Sequence, residues 1–248
     1  MAAAKERDSI LVIGASGRTG LFATRYLCAA SVPVIACVRR ADRFPTEPML
    51  ASAEVAVANL ERPESLAPLI DRAVHVIYLA GSERRSLSPG AWQLEIENLA
   101  ACLELGRGSG FDGRWIYVGY SGAAHQGNTT WAETRWRELK IEAEQVIVSA
   151  RLNYFVLRTG HVTGPVSVEP AVSVTQQAVA APDAELPCNV LGFLLAGAAL
   201  AGANYRSKAT VRLDNRGTKL QEAVQAFSRL RTDIAPVVGK APVLSSRV

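Results

Sequence analysis

Three glycines and three polar side chains crowd into seven residues, Gly14-Ala15-Ser16-Gly17-Arg18-Thr19-Gly20. A turn of this kind holds an anion. A glycine at its start permits a tight bend, one in the middle lets backbone amides come close to a pyrophosphate, and one at its end lets a following helix pack on a sheet. The helix N-terminus then offers positive potential to the phosphates, and Ser16, Arg18 and Thr19 can add direct bonds. A second pair of candidates is Arg39-Arg40. They follow an apolar run where a dinucleotide fold selecting NAD carries an acid for the ribose 2'-hydroxyl. No acid stands there, and a guanidinium can pair with a 2'-phosphate and stack on adenine, so the residues favour NADP(H); the plainer alternative is a pair of arginines capping a strand in water.

These residues need a particular scaffold. Apolar, largely β-branched runs at 9–13, 33–38, 74–80 and 115–118, a weaker one at 54–57, and a further one at 154–157 predict strands, continuous rather than alternating, as strands covered on both faces are. Helical spacing at 17–30, 63–71, 91–105 and 131–150 places helices between these strands. The alternation predicts an α/β fold, a doubly wound parallel sheet of the Rossmann type over residues 1–164, with ligand outside the carboxyl ends of the strands. Residues 165–248 are expected as a small C-terminal substrate lobe and tail packed on that core. Within them, 165–187 is rich in Pro, Val and Ala with few secondary-structure signals, followed by a helix at 189–200, a short strand at 210–213 and a closing helix at 219–230.

The Gly-x-x-Gly-x-x-Gly spacing, with strand before and helix after, resembles the turn of extended and atypical short-chain dehydrogenase/reductases, including NmrA-like and flavin-reductase-like NAD(P)-binding proteins. The resemblance spans most of the chain and is strongest over residues 9–165. It implies that Asn59-Leu60, where the family has an Asp-Leu pair, lies near adenine, and that Ala80-Gly81 passes close to the cofactor. It also implies that Thr159 to Val162, at the place of an Arg-Pro-Gly turn, gives backbone contacts near the nicotinamide. The family transfers hydride with a Tyr-x-x-x-Lys pair on one helix. Here the match is Trp136-Arg137-Glu138-Leu139-Lys140. The spacing puts Trp136 and Lys140 on one helical face, yet an indole cannot give up a proton as a phenol does. Lys140 can still bond the nicotinamide ribose, or else pair with Glu144 one turn on.

The proton must then come from elsewhere. The end of the fifth strand, where the family carries serines, offers Tyr120 and Ser121; alternation puts Tyr120 on the face opposite Tyr117 and leaves open which of the two meets the nicotinamide. His161 and His125 can exchange protons near neutral pH. Trp92 and Trp131 are candidate pocket walls. His75 and Cys28, Cys37 and Cys102 sit within apolar elements and read as structural. No metal is expected, because the four cysteines form no CxxC pair.

Composition narrows the classes. The 248 residues are 49% hydrophobic, 20% charged and 6% aromatic, the balance of a globular protein able to bury a core without disulfides. The first nine residues carry no apolar signal core and no run reaches the length of a membrane span, so a cytoplasmic protein without membrane contact is expected. The formal charge of +4 arises in residues 201–248, with nine Lys and Arg against three acids. Lacking interleaved aromatics, that surplus reads as solvated surface rather than a nucleic-acid site. The expected protein is a monomer or homodimer acting on a small molecule. Its expected function is NADP(H)-dependent reduction or oxidation of a carbonyl, quinone or conjugated substrate. The alternatives are a redox-silent NADP(H) sensor and a non-redox isomerase, dehydratase or cyclase on the same fold.

Overall fold

The computed structural model describes residues 7–81, 89–121, 131–167, 170–176, 185–201, 206–213 and 217–230, with side chains at 89–92, 131–133 and 212–213 outside the description. Strand β1 (Ser9–Ile13) is buried along its whole length and leads through the glycine turn into α1 (Arg18–Ala29). Then follow β2 (Val34–Val38), β3 (Ala53–Val57), the short α2 (Ala67–Ile70), β4 (Ala73–Tyr78), α3 (Pro89–Gly108), β5 (Arg114–Tyr120), α4 (Trp131–Ser149) and β6 (Asn153–Thr159). The sheet order is β3-β2-β1-β4-β5-β6, all parallel, as expected of a doubly wound fold. Because the chain leaves β1 toward opposite edges, a crevice opens between β1 and β4 at their carboxyl ends.

The C-terminal third builds onto the same sheet. After β7 (His161–Thr163), β8 (Val172–Thr175), β9 (Glu185–Pro187) and α5 (Cys188–Leu200), strand β10 (Ser207–Leu213) pairs parallel with β6, and β8 closes the edge antiparallel to β10. Strands β8 and β9 lie in the stretch whose sequence gave few signals; β7 and β9 form a separate two-stranded sheet. Two apolar cores cover the faces. Leu27 of α1, Leu191, Leu194 and Leu195 of α5 and Phe227 of α6 (Leu220–Phe227) pack on one side, and Leu99 and Cys102 of α3 with Leu139, Ala143 and Ile147 of α4 pack on the other. Among the described residues no helix is long and apolar enough to cross a membrane.

One buried polar joint ties the sheet's amino-terminal end to the helix layer. The Nδ1 of His75 on β4 accepts the Arg114 backbone N–H at 3.0 Å, and the Arg114 guanidinium, buried, donates to the carbonyls of Ala198 and Ala201 at the end of α5. Burial, reinforced by the Arg114 charge, pushes the His75 imidazole down to about 4. The unfolded chain therefore binds a proton near pH 6.5 that the folded protein refuses until about pH 4, so stability falls as pH drops through that window. We expect a loss of up to about 2 kcal/mol between pH 6.5 and 4.5, after allowance for the partial exposure of the ring. In His75→Asn, whose amide oxygen can replace Nδ1 as acceptor, urea unfolding at several pH values should show a flatter profile; an unchanged slope would contradict the assignment.

Candidate cofactor and substrate cavity

The glycine turn has the shape of a cradle that could hold phosphate. Gly14 stands at φ +87°, and a Cβ there would lie 2.9 Å from the Ala80 nitrogen and the Leu79 carbonyl carbon, so β1 and β4 approach at this point as only glycine allows. The Gly17 N–H donates to the Gly14 carbonyl at 3.0 Å and Gly17 caps α1 without a side-chain bond, which leaves the first-turn amides of the helix for a ligand. Gly20 is buried directly against the Gly14 carbonyl.

Two adjoining cavities occupy the crevice. The first, about 410 Å³, is lined by Gly14, Ser16 and Gly17 from the turn, Arg39 from the end of β2, Asn59, Leu60 and Glu61 beyond β3, and Glu95 of α3. The second, about 730 Å³, is lined by Arg18, Tyr117, Tyr120, Trp136, Lys140 and the stretch from Thr159 to Val162. Tyr78, Leu79, Ala80 and Gly81 belong to both walls, so the two form one continuous trough over the switch point.

Of the residues singled out from sequence, Gly14, Ser16, Gly17, Arg39, Asn59, Leu60, Ala80 and Gly81 meet in the first cavity, and Arg18, Lys140, Tyr120, Thr159, His161 and Val162 in the second. Gly20 lies behind the turn rather than on its surface. Thr19 lines neither cavity, and Arg40 turns to Asp42 on the exposed rim, Nε to Oδ1 3.4 Å, so the two neighbouring arginines separate. The Oδ1 of Asn59 accepts the Glu61 N–H at 3.1 Å, which spends its acceptor on the local turn. Ser121 is buried and does not line the trough. His125 and the side chains of Trp92 and Trp131 lie outside the described residues.

Lys140 does not pair with Glu144. Its ammonium donates to the Tyr117 phenol oxygen at 3.2 Å and lies 3.5 Å from Glu95 Oε1, with the Tyr117 ring centroid at 5.3 Å and that of Trp136 at 5.9 Å. Burial works against the lysine's charge, but the Tyr117 oxygen and the Glu95 carboxylate outweigh it and hold the ammonium protonated well above its usual range. Burial pushes the Tyr117 phenol up as well, partly offset by Lys140. Glu144 is taken instead by Arg158 of β6, whose Nη2 reaches Oε2 at 2.7 Å, and by Lys208 of β10 at 3.9 Å.

Tyr120 packs edge-on against Trp136, centroids 4.6 Å apart, and faces His161 at 5.8 Å, making an aromatic wall at the far end of the trough. The Oγ1 of Thr159 is buried in the same cavity lining without a hydrogen-bond partner among the described residues. Tyr78 and Glu95 escaped the sequence reading as site residues, and Tyr117 entered it as the strand residue on the face opposite Tyr120. Glu95 carried a signal, since it falls at i, i+4, i+7 spacing with the buried Leu99 and Cys102, marking an acid that starts a buried stripe.

Fold, glycine cradle and trough together define a dinucleotide-binding protein of the Rossmann class. The chain belongs to the NAD(P)H-binding family, whose pattern it matches over residues 14–185. No curated protein matches it. Solved structures share the architecture at low identity. A Bacillus halodurans protein assigned as an NAD-dependent epimerase/dehydratase superimposes with TM-score 0.74 at 18% identity, over 88% of this chain and 99% of that one. A wide-type short-chain dehydrogenase/reductase from Veillonella parvula, in complex with NADP, gives 0.67 at 15% identity over 85% and 97%. ChuY, an anaerobillin reductase from Escherichia coli O157:H7, gives 0.65 at 17% identity over 85% and 99%. These likenesses establish the fold.

Proposed function

We propose that the protein is an NADP(H)-dependent oxidoreductase acting on a small carbonyl, quinone or other conjugated molecule. The observation that carries this reading is the continuous trough, with a phosphate cradle at one end and Lys140 against an aromatic wall at the other. Gly14, Gly17 and the first turn of α1 would hold the pyrophosphate, and Lys140 the nicotinamide ribose. Bound there, the dinucleotide supplies a hydride. Arg39 supports NADP over NAD, because it lines the adenine end and the acids of that cavity, Glu61 and Glu95, do not stand at the end of β2. Tyr120, Trp136 and His161 suit a flat, unsaturated substrate. The four cysteines are buried thiols, in keeping with a reducing, cytoplasmic setting.

The test is NADPH consumption, followed by absorbance, against a panel of quinones, enones and aldehydes. We expect substrate-dependent consumption, with Arg39→Ala raising the KM for NADPH about 10- to 100-fold, the worth of a charge-assisted bond to phosphate, and that for NADH little. Equal losses for both would remove the NADP assignment. Trp136 in place of the family's tyrosine favours one second reading, a redox-silent NADP(H) sensor, which predicts tight binding with no consumption by any member of the panel. Product formed without NADPH loss would point to isomerase, dehydratase or cyclase chemistry.

A further inference from the structure

We infer that Tyr117 is the proton donor of this centre, its phenolate held by the Lys140 ammonium, with Glu95 positioning the lysine between the two cavities. The inference rests on the oxidoreductase reading and adds to it the residue that replaces the missing tyrosine. Among the described hydrogen bonds Lys140 reaches Tyr117, while Tyr120 packs against Trp136 and His161 further along the wall. In that bond the ammonium donates and the phenol oxygen accepts, so the phenol's own O–H is not spent on the lysine and can be directed at a ligand in the cavity that Tyr117 lines. The lysine is fixed from the other side by Glu95, which lines the neighbouring, phosphate-binding cavity. The three groups come from three elements, α3, β5 and α4, and form a chain from one cavity into the other.

The chemistry balances. Bound NADPH would supply the hydride to the carbonyl carbon and be left as NADP⁺. The carbonyl oxygen, gaining the electron pair of the C=O π bond, takes the proton of the Tyr117 O–H; one O–H bond breaks and one forms. The phenolate, held by the Lys140 ammonium, which keeps its own protons, regains a proton from water in the cavity. The sum is one carbonyl, one hydride and one solvent proton giving one alcohol. A phenol is protonated at neutral pH, the state a donor needs for reduction; burial pushes Tyr117 further up and Lys140 limits that rise.

The experiment pairs a binding-independent readout with turnover. In apoprotein carrying ¹³Cζ-tyrosine, the resonance that disappears in Tyr117→Phe should titrate at higher pH in Lys140→Met, which loses the nearby positive charge, and at lower pH in Glu95→Gln, which loses a negative one. In steady state with the best substrate of the panel, Tyr117→Phe should lower kcat by roughly 100-fold or more at unchanged NADPH affinity, the usual worth of a positioned acid. Tyr26→Phe, on α1 against Phe193, should leave kcat alone. A Tyr117→Phe protein with full kcat overturns the inference and leaves the oxidoreductase reading intact. A Tyr117 resonance indifferent to Lys140→Met also overturns it, whether or not a substrate is in hand. A wild-type protein that binds NADPH but consumes it with no substrate removes the reading and the inference together.

Discussion

Gly20→Ala is expected to weaken NADPH binding at least about 100-fold and to lower stability by about 1 to 3 kcal/mol, the cost of forcing a methyl into a packed site. The added Cβ would overlap the Gly14 carbonyl oxygen and come within 3.0 Å of the Ala15 Cα. Both obstacles are backbone, so no side chain can swing away. Relief must come from moving the turn, and the part that moves is the Gly14 peptide, already at φ +87° and pinned against Ala80. The amides proposed to bind phosphate move with it. Losing two charge-assisted bonds at about 1.5 kcal/mol each accounts for the hundredfold loss. Gly108→Ala, where a methyl meets nothing within 4 Å, is the matched control and should bind NADPH as wild type does. Titration of both variants, with thermal unfolding alongside, checks this; a Gly20→Ala protein with wild-type affinity would contradict it.

Glu144→Ala should cost about 3 kcal/mol, near the lower end for breaking a buried ion pair because both side chains keep some exposure, 11% for Glu144 and 17% for Arg158. In a chain of this length that is a fall in Tm of about 6 to 12 °C. The carboxylate accepts from Arg158 Nε at 3.1 Å to each oxygen and from Nη2 at 2.7 Å, with Lys208 Nζ at 3.9 Å. Removing it leaves two cations facing each other under α4. The same joint ties the helix that carries Lys140 to the strand that ends at Thr159, so the damage should reach the trough as well as the melting curve. Replacing both partners by apolar residues, Glu144→Leu with Arg158→Met, should recover much of the stability, since it leaves less charge stranded. A single-variant loss below about 1 kcal/mol in chemical unfolding would contradict this account.

The parallel half of the fold was legible in the sequence because its strands, the exposed edge strand β3 apart, are covered on both faces. Runs such as Ile10 to Ile13 and Val34 to Val38 have no polar residue to confuse with another period. Strands β8 and β9 were not. Val172–Thr175 is four residues of alternating character at a sheet edge, and Glu185–Pro187 is three, both too short to set a period and set among Pro and Ala. The glycine turn could be read because its residues are contiguous, and it assembles as one cradle. The groups proposed to handle the proton could not be assigned in the same way. Lys140 had Glu144 at i+4, a plausible partner by helix geometry alone; only the sheet shows that Arg158 claims Glu144 and that Glu95, 45 residues before Lys140, takes the lysine. Tyr117 and Tyr120 were separated by strand parity, but which one meets Lys140 depends on how α4 docks on β5. Arg39 and Arg40 were adjacent in sequence and similar in chemistry, and they divide because one points into the trough and the other along the rim.

The most direct test of the whole account is titration of the purified wild-type protein with NADPH and, separately, NADH, followed by tryptophan fluorescence; Trp136 sits in the wall of the second cavity and should report the nicotinamide end. The account predicts saturable binding of NADPH in the micromolar range, with NADH at least about tenfold weaker for want of the 2'-phosphate contact. If neither dinucleotide binds, the cradle at Gly14 is structural only, and the oxidoreductase and sensor readings both fall.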